Sequence, residues 1–237
     1  MIARQATILV GGRGTRLGAL AADVPKPLMP IDGSSVFLDE ALAAIVRHGY
    51  DDIILLAGHL HGQFTERYGA AKFQGATVRI VVEARPAGTA GALGHARDLL
   101  DPVFLLANGD TLFDIELRRL DAMFAWAPDA VAALALRRVP DTGRYGRVEV
   151  AGQRIVGFHE KEAVGREGLI NGGLALCRKD ILSFIGATPC SIEQDVYPRL
   201  AREGRLMGEE FAGYFIDIGL PETLAQARRE LPARRRI

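Results

Sequence analysis

Ala6-Thr7-Ile8-Leu9-Val10-Gly11-Gly12-Arg13-Gly14-Thr15-Arg16-Leu17, with Pro25-Lys26-Pro27-Leu28 shortly after it, sets the fold and the chemistry of this chain. Residues 6–10 form a short apolar run and read as a buried strand. The strand ends in glycines, where backbone N–H groups can converge on a phosphate because no Cβ blocks the approach. An arginine inside the loop and a lysine just beyond it add fixed positive charge where phosphate oxygens would lie. A tight turn without a ligand is the alternative for the glycines alone. The Thr-Arg-Leu and Pro-Lys-Pro that follow favour a nucleotide phosphate site, with Gly11, Gly12, Gly14 and Thr15 as its backbone.

Two common phosphate loops are excluded by spelling. A P-loop requires Gly-Lys followed by Ser or Thr, and the chain contains none. A dinucleotide fingerprint requires a small residue where Leu17 stands, and Leu17 would obstruct close helix–strand packing. The second strand, 52–57, also ends without the acid that would hold a ribose.

Outward from this loop, strands alternate with helical patterns. Runs 6–10, 52–57, 77–83 and 103–107 read as strands, with helices over 35–48, 63–68 and 89–100 between them. That alternation predicts an α/β fold, a Rossmann-like mixed and mainly parallel sheet flanked by helices. Right-handed crossovers place the strand C-terminal ends on one edge, where ligands bind. The glycine loop, Glu83 and Asp110 all fall at such ends. Beyond Asp114 come a helix at 116–126, strands at 130–138, 147–150, 154–160 and 169–178, and helices at 179–185 and 191–203. A strand at 214–218 and a helix from Pro221 close the order. Gly152 marks a hairpin turn, and Ser191 with Gln194 a capping box. The 237 residues read as a single domain, with residues 1–113 as a nucleotide-binding half and 114–237 as a second half.

Composition bounds the partners. Net charge is zero, so no global field favours nucleic acid or an anionic membrane, and the basic end at Arg234–Arg236 reads as a solvated terminus. No apolar run reaches the roughly 18 residues of a spanning helix, and no secretory pattern precedes the first strand. Cys177 and Cys190 are the two cysteines and have no His/Cys cluster around them, which suits free thiols in a cytoplasmic protein. Exposed helix faces leave a homodimer open.

The sequence 11–17 with Pro25-Lys26-Pro27-Leu28 resembles the signature of the sugar-1-phosphate nucleotidylyltransferases, and the resemblance runs from Thr7 to about Leu224. It implies a GT-A-like nucleotidyltransferase fold, here without the C-terminal β-helix of some members, since no hexapeptide repeats occur. It also implies attack by a sugar-phosphate oxygen on the α-phosphorus of a nucleoside triphosphate, with release of pyrophosphate. The attacking phosphate is already an anion, because the second pKa of a phosphate monoester is about 6. Such a reaction needs cations and alignment rather than a catalytic histidine. Arg16 and Lys26 are the candidate catalytic cations, with surface ion pairs as the alternative.

Asp110 ends a buried strand behind a glycine, and Asp217 stands between two isoleucines. A lone acid among apolar residues is costly unless paired or metal-bound. The two match the family's metal aspartates and would hold Mg2+ with phosphate oxygens and water. Capping or turn roles are the alternative, and Asp114, a weaker metal candidate, reads as the cap of the next helix. Glu83, Gly88 and Thr89 form the candidate base site. A carboxylate accepts from two adjacent donors, which guanine offers and uracil or thymine does not, so GTP is favoured. An ion pair of Glu83 with Arg79 or Arg85 is the competing reading. Gly146, Glu160, Lys161 and Asn171 resemble the family's sugar and sugar-phosphate contacts.

Segments 108–115, 169–173 and 214–222 narrow the resemblance to members that join GTP to a heptose 1-phosphate, for surface polysaccharide. Mannose 1-phosphate is the nearest rival, and uridylyl or thymidylyl transfer follows. A glycosyltransferase would need Asp-x-Asp, but Asp110-Thr111-Leu112 departs from it. A catalytically dead subunit would have lost one of Arg16, Lys26, Asp110 or Asp217, and all four stand.

Overall fold

The computed structural model describes residues 3–12, 14–69, 72–159 and 165–235, with Thr15, Arg16 and Ala19 described by backbone alone. Strand β1 (Gln5–Leu9) leads through the glycine loop to helix α1 (Phe37–Arg47), and β2 (Asp52–Ala57) leads to α2 (His61–Tyr68). Next come β3 (Thr77–Val82), α3 (Gly88–His95), β4 (Val103–Asn108), β5 (Thr111–Asp114) and α4 (Leu117–Ala125). The second half gives β6 (Ala132–Val139), β7 (Arg147–Ala151), β8 (Arg154–His159), β9 (Gly168–Arg178), α5 (Tyr197–Arg202), β10 (Leu206–Phe211), β11 (Tyr214–Asp217) and α6 (Pro221–Arg234). None of these helices is long and apolar enough to cross a membrane.

Nine strands form one sheet in the order β3-β2-β1-β4-β9-β6-β10-β8-β7. The first four are parallel, and most pairings beyond β4 are antiparallel. The expected mixed sheet is therefore present, with its parallel part where strands and helices alternate in sequence. Strand order reverses at β1, whose neighbours β2 and β4 leave a crevice at their C-terminal ends. On one face α1, α2 and α4 bury Leu38, Leu42, Phe64, Leu120 and Met123 against the sheet. On the other, α3 and α5 bury Leu93, Tyr197 and Leu200. Each such side chain contributes about 1.5–3 kcal/mol through burial.

Two strands escape the sequence pattern. In β10, Gly208-Glu209-Glu210 interrupts the apolar run, yet the strand lies inside the sheet. Its acids are neutralised by neighbours: Glu209 pairs with Arg119, and Glu210 with Arg138 at 2.7 Å. The other is β5, which pairs with β11 in a separate two-stranded ribbon. Helix caps also differ from expectation. Ser191 Oγ accepts from the Gln194 N–H at 3.2 Å, but Asp195, not Gln194, returns the bond to the Ser191 N–H at 2.7 Å. Asp114 does not cap α4; the Glu116 carboxylate accepts from the Arg118 N–H at 3.4 Å, and Asp114 pairs with Arg47 at 2.9 Å.

Candidate active site

Four strand ends build one cavity of about 650 Å³. The turn after β1 contributes Gly11, Gly12 and Gly14, and the Lys26–Leu28 turn contributes Lys26. Glu83, just past β3, lies beside the glycine turn, its Oε1 3.3 Å from where a Cβ on Gly11 would stand, and Gly88 and Thr89 at the start of α3 line the same space. Asp110 follows β4 and closes the floor. The expected nucleotide residues Gly11, Gly12, Gly14, Glu83, Gly88 and Thr89 thus line one space. Thr15 and Arg16 lie in the adjoining Thr15–Ala21 turn, and their side chains are outside the described ones.

Glu83 is held in place by backbone. Its Oε2 accepts from the Ala87 N–H at 3.1 Å, and its Oε1 fills the space beside Gly58, where a Cβ would lie 2.3 Å away. Arg79 bonds to Asp52 instead, at 2.5 Å, so the alternative ion pair with Glu83 is not formed there. Nor does Arg85 pair with it among the described residues.

A second cavity of about 470 Å³ opens on the other side of Asp110. Gly146, Asn171 and Asp217 line it, together with Arg144 and Phe158. Asn171 sits at an irregularity of β9 where its register against β6 shifts, and its Oδ1 accepts from the Gly173 N–H at 3.0 Å. Gly172 lies against the Phe113 ring, and a Cβ there would come within 2.4 Å of it. Glu160 and Lys161 lie outside the described residues. Asn108, Asp110 and Glu193 border both cavities, so the two spaces meet at the end of β4.

The ribbon of β5 and β11 brings the two aspartates together. Asp217 stands opposite Thr111, and the Ile218 N–H donates to the Asp110 carbonyl at 3.1 Å. Burial raises the pKa of Asp217, and the negative charge of Asp110 adds to the rise; Lys26, the Gly219 N–H and Arg144 oppose it. The Gly219 N–H donates to Asp217 Oδ1 at 2.8 Å, and the Arg144 guanidinium lies 3.4 Å from the same oxygen. Lys26, nearly buried, forms an ion pair with Asp110. Two acids and two cations therefore converge on one spot, and the Lys26 pair is internal to the site rather than on the surface.

Among the described residues no group of three or more His, Cys, Asp or Glu could hold a metal unaided. Asp110 and Asp217 offer two hard oxygen donors facing open cavity, which suits a cation that keeps water and substrate oxygens as its other ligands. Cys177 and Cys190 are both buried and free. Arg144 and Glu193 are absent from the sequence reading. Arg144 lies two residues before Gly146, which resembles a sugar contact, but nothing local to it reports the distant Asp217. Glu193 looks like a solvated helix acid until the fold turns it inward.

Residues 5–234 match the nucleotidyl transferase family. The chain belongs to that family. It is 34% identical over 230 residues to D-glycero-alpha-D-manno-heptose 1-phosphate guanylyltransferase of Aneurinibacillus thermoaerophilus, covering 96% of this chain and 98% of that protein. It is 33% identical over 225 residues to the mannose-1-phosphate guanylyltransferase catalytic subunit beta of Xenopus tropicalis, covering 92% of this chain and 62% of that protein. The crystal structure of HddC from Yersinia pseudotuberculosis complexed with GMP-PN superposes on this transferase with a TM-score of 0.82 at 27% identity, over 96% of this chain and 99% of that one.

Proposed function

We propose that this transferase joins GTP to D-glycero-α-D-manno-heptose 1-phosphate, giving GDP-heptose and pyrophosphate, with Mg2+ held by Asp110 and Asp217. The observation that carries the reading is the junction of two cavities at Asp110, one under the glycine loop and one beneath Asn171. A nucleotide in the first and a sugar phosphate in the second would meet at that edge. An oxygen of the sugar phosphate then bonds to the α-phosphorus. The bond from that phosphorus to the bridging oxygen breaks, and its electron pair leaves with pyrophosphate. No proton has to be removed from the nucleophile.

The chain's own groups supply alignment and charge. Gly11, Gly12, Gly14 and Thr15 cradle phosphate through backbone N–H groups. Lys26 and Arg16 offset the negative charge of the approaching polyanions and of the leaving pyrophosphate. A divalent cation, when bound, neutralises phosphate oxygens as a Lewis acid. Glu83, with Gly88 and Thr89 beside it, takes the guanine N1–H and N2 amine. Gly146, Glu160, Lys161 and Asn171 take the sugar and its phosphate. The names of the relatives support guanylyl transfer, and the heptose relative matches nearly end to end. Residues 1–113 then act as the donor half and 114–237 as the acceptor half of one catalytic domain. The cytoplasm, which supplies nucleoside triphosphates, is the compartment this reaction requires.

A pyrophosphate-release assay tests the reading. GTP, UTP, dTTP, CTP and ATP are each paired with the heptose, mannose and glucose 1-phosphates, with Mg2+ and with EDTA. The expected result is Mg2+-dependent release with GTP and the heptose phosphate. Release with mannose 1-phosphate instead corrects the sugar, preference for dTTP or UTP overturns the guanine reading, and full activity in EDTA removes the metal.

A further inference from the structure

The wall shared by the two cavities is a latch between segments far apart in sequence. Thr89 Oγ1 donates to Glu193 Oε2 at 3.1 Å and accepts from the Ile192 N–H at 2.8 Å. Ser191 Oγ donates to the same carboxylate oxygen at 3.4 Å. Backbone bonds run beside these: Ala90 N–H to the Cys190 carbonyl at 2.9 Å, and Cys190 N–H to the Ala87 carbonyl at 2.8 Å. Gly88 adopts φ +77° against this strand of contacts, and a Cβ there would lie 2.4 Å from the Cys190 oxygen. Ala87 in turn donates to Glu83. A continuous set of bonds therefore links Glu83, the loop 87–91 and the segment 190–194, whose Ser191 and Gln194 face the acceptor cavity.

We propose that Glu193 is a positioning residue: by holding Thr89 it fixes the nucleotide loop 87–91 to the segment 190–194, so that a sugar phosphate in one cavity raises affinity for the nucleotide in the other. The proposal rests on the reading that the two cavities take a nucleoside triphosphate and a sugar phosphate. The Thr89–Glu193 bond ties two elements with no covalent neighbourhood. An acceptor that orders Ser191 and Gln194 would order the same segment the nucleotide loop leans on. The loop would then lose less freedom when the nucleotide binds. The coupling must be reciprocal, with the nucleotide tightening the sugar phosphate by the same factor. Burial raises the pKa of Glu193 and the charge of Asp110 adds to the rise, while its own backbone N–H and the Thr89 and Ser191 hydroxyls oppose it.

The test uses the full chain and guanosine 5′-(α,β-methylene)triphosphate, which cannot transfer its nucleotidyl group. Calorimetric affinity is measured with and without the sugar 1-phosphate that supports turnover, in wild type, Glu193→Ala, Glu193→Gln, Thr89→Val and the Glu193→Ala/Thr89→Val pair. In the wild type the sugar phosphate tightens the analogue about fivefold or more. Glu193→Ala and Thr89→Val each weaken it about tenfold and bring the coupling factor toward one. The double variant is no worse than either single change, and KM for GTP rises far more than kcat falls. Glu193→Gln, whose carbonyl still accepts from Thr89, restores affinity to within about threefold of wild type.

A Glu193→Ala protein that loses only thermal stability, with affinity and coupling intact, overturns the proposal. So does Glu193→Gln behaving like alanine, which would assign the role to charge rather than to the bond. A wild type that turns over GTP but shows no coupling overturns the latch alone. A wild type that neither binds the analogue nor turns over GTP overturns the functional reading beneath it.

Discussion

The cavity under the glycine loop takes its walls from four parallel strands, each delivering a residue at its C-terminal end, a few positions from the apolar run that forms the strand. The second cavity draws Arg144, Asn171, Glu193 and Asp217 from a loop, a strand irregularity, a helical turn and a ribbon. The two spaces are similar in size, yet one is made by local order and the other by long-range register. In the parallel half, topology alone gathers functional groups, because every crossover returns the chain to the same edge. In the antiparallel half, strand ends alternate between edges, and particular pairings must bring each group in. Asp217 is the clearest case, since only its pairing opposite Thr111 sets it beside Asp110.

Asp110 borders both cavities, so its replacement is expected to have the largest effect. Asp110→Asn keeps shape and removes charge. Turnover in Mg2+ is expected to fall by about 10³-fold or more, with the melting temperature close to wild type. Near-native turnover would mean that the junction is not where the reaction occurs. Lys26→Ala comes next, with an expected loss of about 10²–10³-fold in kcat/KM for GTP. It also leaves Asp110 and Asp217 facing one another with less positive charge nearby, so the Mg2+ dependence of the rate should change along with its size. Loss of rate without any change in the Mg2+ profile would separate Lys26 from the carboxylates.

How much of this was legible in the sequence follows the same division. The glycine loop, Glu83 and Asp110 could be placed at one edge because strand–helix alternation is a local signal. Strand β2 fell where its apolar run predicts, at Asp52–Ala57. Strand β10 did not show, because Glu209 and Glu210 read as exposed acids until Arg119 and Arg138 are known to face them. Gly146 and Asn171 came from resemblance rather than from any pattern in the residues, and Asp217 from its place between two isoleucines together with the resemblance. Glu193 and Arg144 came from neither. Their partners, Thr89 and Asp217, are distant in sequence, and no periodicity records a single hydrogen bond across such a gap.

Gly172→Ala perturbs the second cavity alone. The added methyl would meet the Phe113 ring, which is packed edge-on against Phe211 and Phe215 at 6.4 and 5.4 Å and cannot swing away freely. Overpacking of this kind costs about 1–3 kcal/mol, readable as a lower melting temperature. The irregularity in β9 should shift with it and move Asn171. KM for the sugar phosphate is therefore expected to rise while KM for GTP stays near wild type. Equal rises in both would show that the halves do not respond separately.

Asp114→Asn should have the smallest effect and is the most pointed control. Asp114 lies on the same short strand that follows Asp110, and in sequence it is the next acid available for a metal. In the fold it faces Arg47 at 2.9 Å and Arg234 at 3.7 Å, pairs that are partly solvent-exposed. Such pairs contribute about 0–1 kcal/mol and are screened by salt. The substitution should shift the melting temperature slightly, less so at high salt, and leave kcat, both KM values and Mg2+ dependence unchanged. A large loss of turnover would place Asp114 in the reacting cluster and remove the distinction on which the Asp110–Asp217 assignment depends: that β5–β11 register, rather than nearness in sequence, selects which acids face the junction.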